Sequence, residues 1–478
     1  MNENQEGNNQ LRRSIKGRHL FMLTLGGTIG TGLFLSSGYT IGQAGPGGAL
    51  IAYLVAGLLM YLVMVCLGEL SLVMPVSGSF QAHATKFIGP ATGYMIGWVY
   101  WMSWGTTVGS EFTAAGILMK RWFPDTPVWI WSAFFIILLF SLNALTTKAF
   151  AESEYWFAGI KVTAVILFII VGGAAILGVI HIGDQPAPYL SNFIGEGGLF
   201  PKGFTGVFIT MMTVIYAFQG SEVFGVAAGE TEEPEKNIPR SIRNIVFRLL
   251  IFYVGAIFVL SAIVPWKKAG LMESPFVTVF DMVGIPYAAD IMNFVILTAL
   301  LSVGNSGLFV GTRILYSMSQ NGMAHTIFSK LTKRGVPLNA LLISLGFALL
   351  SLLSSLFAPG TVFLMLYSVA AIGGTIAWLV IAWAQYNFRK QFIKAGGNLK
   401  DLKFTVPFFP IVPILCILMC LFILGFTLYD PTQRLSLLIG LGFMAACYLF
   451  YYFRYGRTKT LSPLLTNQSQ DEFVKTQE

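Results

Sequence analysis

Three ionisable side chains stand inside long apolar stretches of this sequence: Glu111 in "TTVGSEFTAAG", Lys161 in "FAGIKVTAV" and Glu222 in "FQGSEVFGVAAGE". An ionised residue at the centre of a lipid-buried helix costs about 2.5 to 3.5 kcal/mol even on the lower scales, so those retained there point to ligand binding or charge movement. Glu69 ("CLGELSLVMP") and Arg313 ("GTRILY") lie nearer the inner ends of their stretches, where long side chains reach water easily, and read as structural or gating residues. Two glycine clusters accompany the charges: Gly26, Gly27, Gly30 and Gly32 in one, Gly220, Gly225 and Gly229 around Glu222. Glycine costs a helix interior about 1 kcal/mol relative to alanine, so each cluster predicts an interrupted helix. Gly26 and Gly30 also have the GxxxG spacing of plain helix packing, but a second cluster five spans later favours interruption.

A helix broken at mid-membrane frees N–H and C=O groups that need partners. A free amino acid supplies both kinds. Its carboxylate can accept from N–H groups around Thr28, Ile29, Gly30, Thr31 and Gly32, at the positive end of a half-helix. Its ammonium can donate to carbonyls near Thr28 and near Tyr216, Ala217 and Gln219. Glu222 lies one turn past the second break, close enough to feel a cation or to exchange a proton, and Glu111 offers a further acidic contact for a basic side chain. Lys161 can stand where another carrier would hold Na⁺ and can release a proton; a permanent ion pair with a glutamate is the structural alternative. Glu230, about two turns past Glu222, reads with Glu69 and Arg313 as part of an inner gate.

No catalytic set competes with this reading. His19, His83, His181 and His325 lie in or beside loops without partner spacing, and no HExxH, CxxC, Walker or GxSxG arrangement is present. Cys66, Cys416, Cys420 and Cys447 fall in apolar runs with no ligand spacing, which predicts packing or lipid-facing roles. The expectation is a carrier and not an enzyme, with no metal or organic cofactor and H⁺ as coupling ion.

The elements that must position these residues are membrane helices. The 478 residues are 55% hydrophobic and 11% charged, with a mean hydropathy of +0.70, far outside the range of soluble domains. Apolar runs of about 20 residues, the length that crosses a bilayer, centre near residues 32, 61, 105, 135, 168, 215, 255, 300, 348, 374, 417 and 444. Twelve spans place 23 of the 30 Lys and Arg residues in inner segments and six in outer loops, with Lys161 inside a span. That bias sets both termini in the cytoplasm and accounts for the net charge of +8 by orientation, not by nucleic acid. Interrupted helices at spans 1 and 6 are the signature of two inverted repeats with a midplane site. The expected organisation is an inner segment 1–19, repeats at about 20–182 and 203–390, two further helices at about 407–455, and a polar, disordered tail 456–478.

From about Leu11 to about Tyr455 the chain resembles the amino acid permeases of the amino acid–polyamine–organocation superfamily. The phrases that carry the resemblance include "RHLFMLTLGGTIGTGLF", "QAGPGGAL", "MPVSGSF", "AESEYWFAGIKV", "FQGSEVFGVAAGETEEPEKNIPRSIR" and "GVPLNAL". The wording is most similar to bacterial lysine-specific and arginine/ornithine permeases. The resemblance implies the two-repeat fold and uptake of an L-amino acid with H⁺ across the plasma membrane. It also implies binding of the substrate at Thr28, Gly30, Thr31 and Gly32 with Tyr216 and Gln219 opposite, and proton-linked roles for Glu222 and Lys161. A cationic amino acid exchanger and a carrier of neutral amino acids are the alternatives, because "YSVAAIGGTIAW" departs from the wording of lysine carriers.

Overall fold

A computed structural model describes residues 15–456 except 77, 146, 184–185, 196, 270–273 and 358, and, within helices, excludes the side chains of 145, 147–149, 243–249, 350–357, 359–364 and 432. Most of the expected inner segment and, apart from residue 456, the expected tail lie outside the described residues.

The described chain is helical, with no β-strand among the described residues and one isolated parallel bridge between Ile15 and Thr231. In order the helices are α1 (Gly17–Thr28), α2 (Thr31–Phe34), α3 (Ser36–Val73), α4 (Phe80–Phe87), α5 (Pro90–Met119), α6 (Val128–Leu145), α7 (Thr147–Ile176), α8 (Ser191–Ile194) and α9 (Gly203–Phe218). There follow α10 (Val223–Ala227), α11 (Pro234–Ile263), α12 (Pro275–Val283), α13 (Ala288–Gln320), α14 (Leu338–Phe357), α15 (Pro359–Lys394), α16 (Ile411–Phe426) and α17 (Pro431–Tyr455).

A helix occupies each of the twelve expected centres. By length and apolarity, seven helical stretches of the described residues are sufficient to cross a bilayer, and three shorter ones are apolar. α5 is not among the ten, although it has 30 residues. Its Gly residues and its Ser, Thr and Glu111 side chains lower its apolarity, and it can be so because nearly all of it is buried against other helices. Large apolar side chains such as Ile137, Phe294, Leu418 and Phe453 are exposed instead, as expected where lipid is the solvent.

Local sequence sets the boundaries. Proline opens α5, α11 and α12, where its missing N–H costs nothing. The first two expected spans meet inside α3, where Gly45 leaves the helical region at φ 75° and Pro46 follows. A positive φ of this kind is open to glycine. α3 packs along α9, α5 against α13 and α15, and α1 against α7, α11 and α13, so the two interrupted elements, α1–α2 and α9–α10, lie inside a ring of long helices.

Candidate functional site

Both expected breaks are present. α1 ends at Thr28, Ile29 is extended (φ −81°, ψ 101°), Gly30 lies outside the usual regions (φ −150°, ψ −143°), and helix resumes at Thr31. α9 ends at Phe218, Gln219 is extended (φ −64°, ψ 150°) and Gly220 takes φ 97° before α10 begins. The breaks touch backbone to backbone: a Cβ on Gly220 would run into the Gly27 carbonyl, and one on Gly32 into the backbone of Ala217. The Tyr253 hydroxyl, from α11, stands 3.0 Å from the Thr28 carbonyl and 2.7 Å from the Ala217 carbonyl, so its one proton serves the freed oxygens of both breaks.

A small cavity lies at this meeting point. Of the residues expected to bind substrate, Thr28, Gly30, Gly32, Glu111, Tyr216, Gln219 and Glu222 line it. Ile29, Thr31 and Ala217 are buried beside it without lining it. Thr31 donates its hydroxyl to Glu111 Oε1 at 2.7 Å, which leaves Glu111 Oε2 buried with no partner. Glu222 is held by three donors: Oε1 accepts from Tyr100 at 2.8 Å, and Oε2 accepts from Trp378 Nε1 and the Gly220 N–H, both at 3.1 Å. Gln219 donates to the Ala371 carbonyl at 2.8 Å, tying the second break to α15.

The sequence reading missed Tyr100, Ser103, Trp104 and Thr107 on α5, and Val303 on α13, all of which line the cavity. Thr107, Trp104, Ser103 and Tyr100 precede Glu111 by four, seven, eight and eleven residues, which is one face of a helix. Extending the face of Glu111 backwards along "YWMSWGTTVGSE" would have found them.

Lys161 lies outside the cavity lining. Its Nζ donates to the Gly26 carbonyl, at the last turn before the first break. Its acidic neighbours are Glu154 and Glu111, so the structure does not bring it together with Glu222. Glu154, unflagged in the sequence, is fully buried on the same helix seven residues earlier.

The inner-gate residues divide into two groups, and none reaches water. Arg313 donates to Glu230 at 2.8 and 3.3 Å, with both side chains buried. The Glu230 carbonyl accepts from the Ile15 N–H at 2.9 Å, and the Glu232 N–H donates to the Ile15 carbonyl at the same distance. Glu69 is elsewhere: it accepts from Arg389 Nε at 2.8 Å, from Gln385 at 3.2 Å and from the Val406 N–H, fastening α3 to α15 and the segment that follows. The expectation that Glu69 and Arg313 reach toward water is therefore corrected, because each is consumed by a buried counter-charge. On the opposite face, Ser274 at the start of α12 donates to the Phe34 carbonyl at 2.7 Å, and the rings of Phe276 and Phe34 meet at 5.0 Å. The cysteines are buried, free and suited to packing only.

A family model described as amino acid permease matches residues 19–459. The chain belongs to the amino acid permease family. Among its relatives, a putative histidine permease of Bacillus subtilis (strain 168) is 55% identical, over 96% of this chain and 97% of the relative. The amino-acid permease RocC of the same organism is 54% identical, over 94% and 96%. The lysine-specific permease LysP of Escherichia coli (strain K12) is 46% identical, over 86% of each. The permease is thus a multi-pass membrane carrier of a free amino acid, not an enzyme.

Proposed function

We propose that the permease takes up basic amino acids, arginine, ornithine or lysine, across the plasma membrane in symport with H⁺, by alternating access around the two breaks. The observation that carries the substrate class is the cavity itself. Two carboxylates, Glu111 and Glu222, face into it, and its lining includes no Lys, Arg or His. A cationic side chain meets complementary charge there, and the unpartnered Glu111 Oε2 is an acceptor waiting for a donor. The names of two relatives, for lysine and for histidine, lean the same way.

In this reading the substrate carboxylate docks on the N–H groups from Gly30 to Gly32, and the ammonium docks on carbonyls around Thr28 and Tyr216. Lys161 carries the coupling proton next to α1, and Glu222, at the second break, responds to the cation. The twelve helices form two inverted repeats of five with α16 and α17 appended, and the inner bias of Lys and Arg supports cytoplasmic termini.

The test is uptake of labelled arginine, lysine, ornithine and a neutral panel into proteoliposomes, with and without an inward proton gradient. The expected result is accumulation of the cationic set, at least tenfold greater with the gradient. Uptake only into vesicles preloaded with substrate would replace symport by exchange, and a neutral preference would overturn the substrate class.

A further inference from the structure

Lys161 is a fully buried ammonium, and a buried charge needs a counter-charge held in place. Three glutamates are near the breaks. Glu222 is engaged by Tyr100, Trp378 and Gly220 and has no contact with Lys161. Glu111 reaches Lys161 electrostatically but lines the cavity and holds Thr31. Glu154, two turns before Lys161 on the same helix, lies against Gly26, whose carbonyl Lys161 holds, and is outside the cavity lining.

Glu154 is itself braced from a neighbouring helix. Ser302 donates to its Oε1 and Asn305 to its Oε2, the latter at 3.1 Å. Asn143 on α6 donates in turn to Asn305 Oδ1 at 2.7 Å. The carboxylate is therefore fixed by α13, which α6 braces, while it stands on α7. It packs onto α1 as well, because a Cβ on Gly26 would collide with Glu154 Oε1. Lys161 and Glu154 thus converge on one residue, the ammonium on the carbonyl of Gly26 and the carboxylate on its Cα face.

We propose that Glu154 is the positioning residue of the proton-coupling centre: it is the fixed anion that holds Lys161 on the Gly26 carbonyl, so that the protonation of Lys161 reports to α1. The proposal rests on the proton-coupled reading above. Removing the Glu154 charge while keeping its shape leaves substrate binding intact and releases the ammonium from its anchor. Coupling is then lost before exchange is.

The experiment compares the wild type with E154Q, K161A and the double variant in proteoliposomes, using labelled lysine. Gradient-driven accumulation, acidification of the lumen and lysine–lysine exchange are read in parallel. E154Q is expected to lower accumulation and acidification at least tenfold while exchange stays within twofold, and the double variant is expected to be no worse than K161A alone. E154D, which keeps the charge, is expected to recover part of the accumulation. Unchanged accumulation in E154Q, a parallel loss of accumulation and exchange, or additive losses in the double variant would each overturn the proposal. Should E154Q fail to fold, S302A and N305A loosen the carboxylate without removing it; a reduced ratio of accumulation to exchange supports the role, and an unchanged ratio overturns it. A wild type that shows no gradient-driven accumulation removes the proton-coupled reading, and this inference with it.

Discussion

At the scale of single residues, burial decides what each ionisable group does. His83, on the short connecting helix α4, is fully buried with Nε2 3.0 Å from the Met74 carbonyl, so Nε2 carries the proton of the neutral ring and Nδ1 has no partner. Burial, reinforced by nearby Lys86, pushes its pKa down to about 4 against the pull of the Met74 carbonyl. The folded state therefore binds this proton less readily than the unfolded chain does. The stability that the neutral ring contributes is complete above about pH 6.5 and is lost as pH falls toward 4, up to about 3 kcal/mol in all. H83Q, which keeps a donor for Met74, is expected to flatten the fall in thermal unfolding midpoint between pH 6.5 and 4 in detergent. An acid slope equal to that of the wild type would show that other groups set it. Nothing in "SFQAHATKF" announces this burial, since a histidine in a polar connection reads as exposed until the packing of α4 against α5 and α15 is known.

At the scale of elements, the two breaks were legible because glycines clustered at mid-span weaken a helix where nothing but a helix can cross lipid, whereas their stitching was not. The Tyr253 hydroxyl serves both breaks from a helix whose sequence carries no charge or glycine cluster at that point. Y253F keeps the ring against Phe218, at 4.6 Å between centroids, and deletes the donor. It leaves two buried carbonyls competing for none, so a loss of about 1 to 3 kcal/mol is expected together with slower transport. An unchanged unfolding midpoint in Y253F would mean that the freed oxygens find other partners. The α5 wall of the cavity and the Glu154–Lys161 pair were legible only as helical spacings, seven residues apart or multiples of three and four, and periodicity alone does not say which face meets a cavity. Glu69 and Arg313 were misjudged for a related reason: position near a span end shows access to water only if no counter-charge is packed there, and Arg389 and Glu230 are.

At the scale of the whole molecule, packed layers lie on both sides of the cavity. The inner layer joins α13 to the turn after α10 and to the chain ahead of α1, through Arg313, Glu230 and Ile15. In the proposed alternating access that layer comes apart. Breaking one side of a buried ion pair costs about 3 to 5 kcal/mol, and here that cost falls on the inner-closed form. E230Q is therefore expected to shift the population toward an inner-open form by at least tenfold. A cysteine introduced as S103C on the cavity wall should then be labelled faster by an impermeant maleimide from the inner side, against a low background because the four native cysteines are buried. Equal labelling rates in the presence and absence of E230Q would remove the pair from the gate. Composition was enough to read the all-helical membrane class, since no soluble core can hide so much apolar surface. The clasp at Ile15 was not readable, because it is made of backbone groups, and every residue has those.

The direct contact of Gly27 with Gly220 has a consequence for how such a carrier divides its tasks. With no side chain at the crossing, the joint of the proposed cycle is built from backbone and does not depend on the side chains of the walls around it. Ser103 and Thr107 on α5 stand apart from the joint, whereas a methyl group at Gly220 runs into the Gly27 carbonyl. In the proposed cycle the residues that would choose the cargo and the contact that would let the carrier move therefore occupy separate positions.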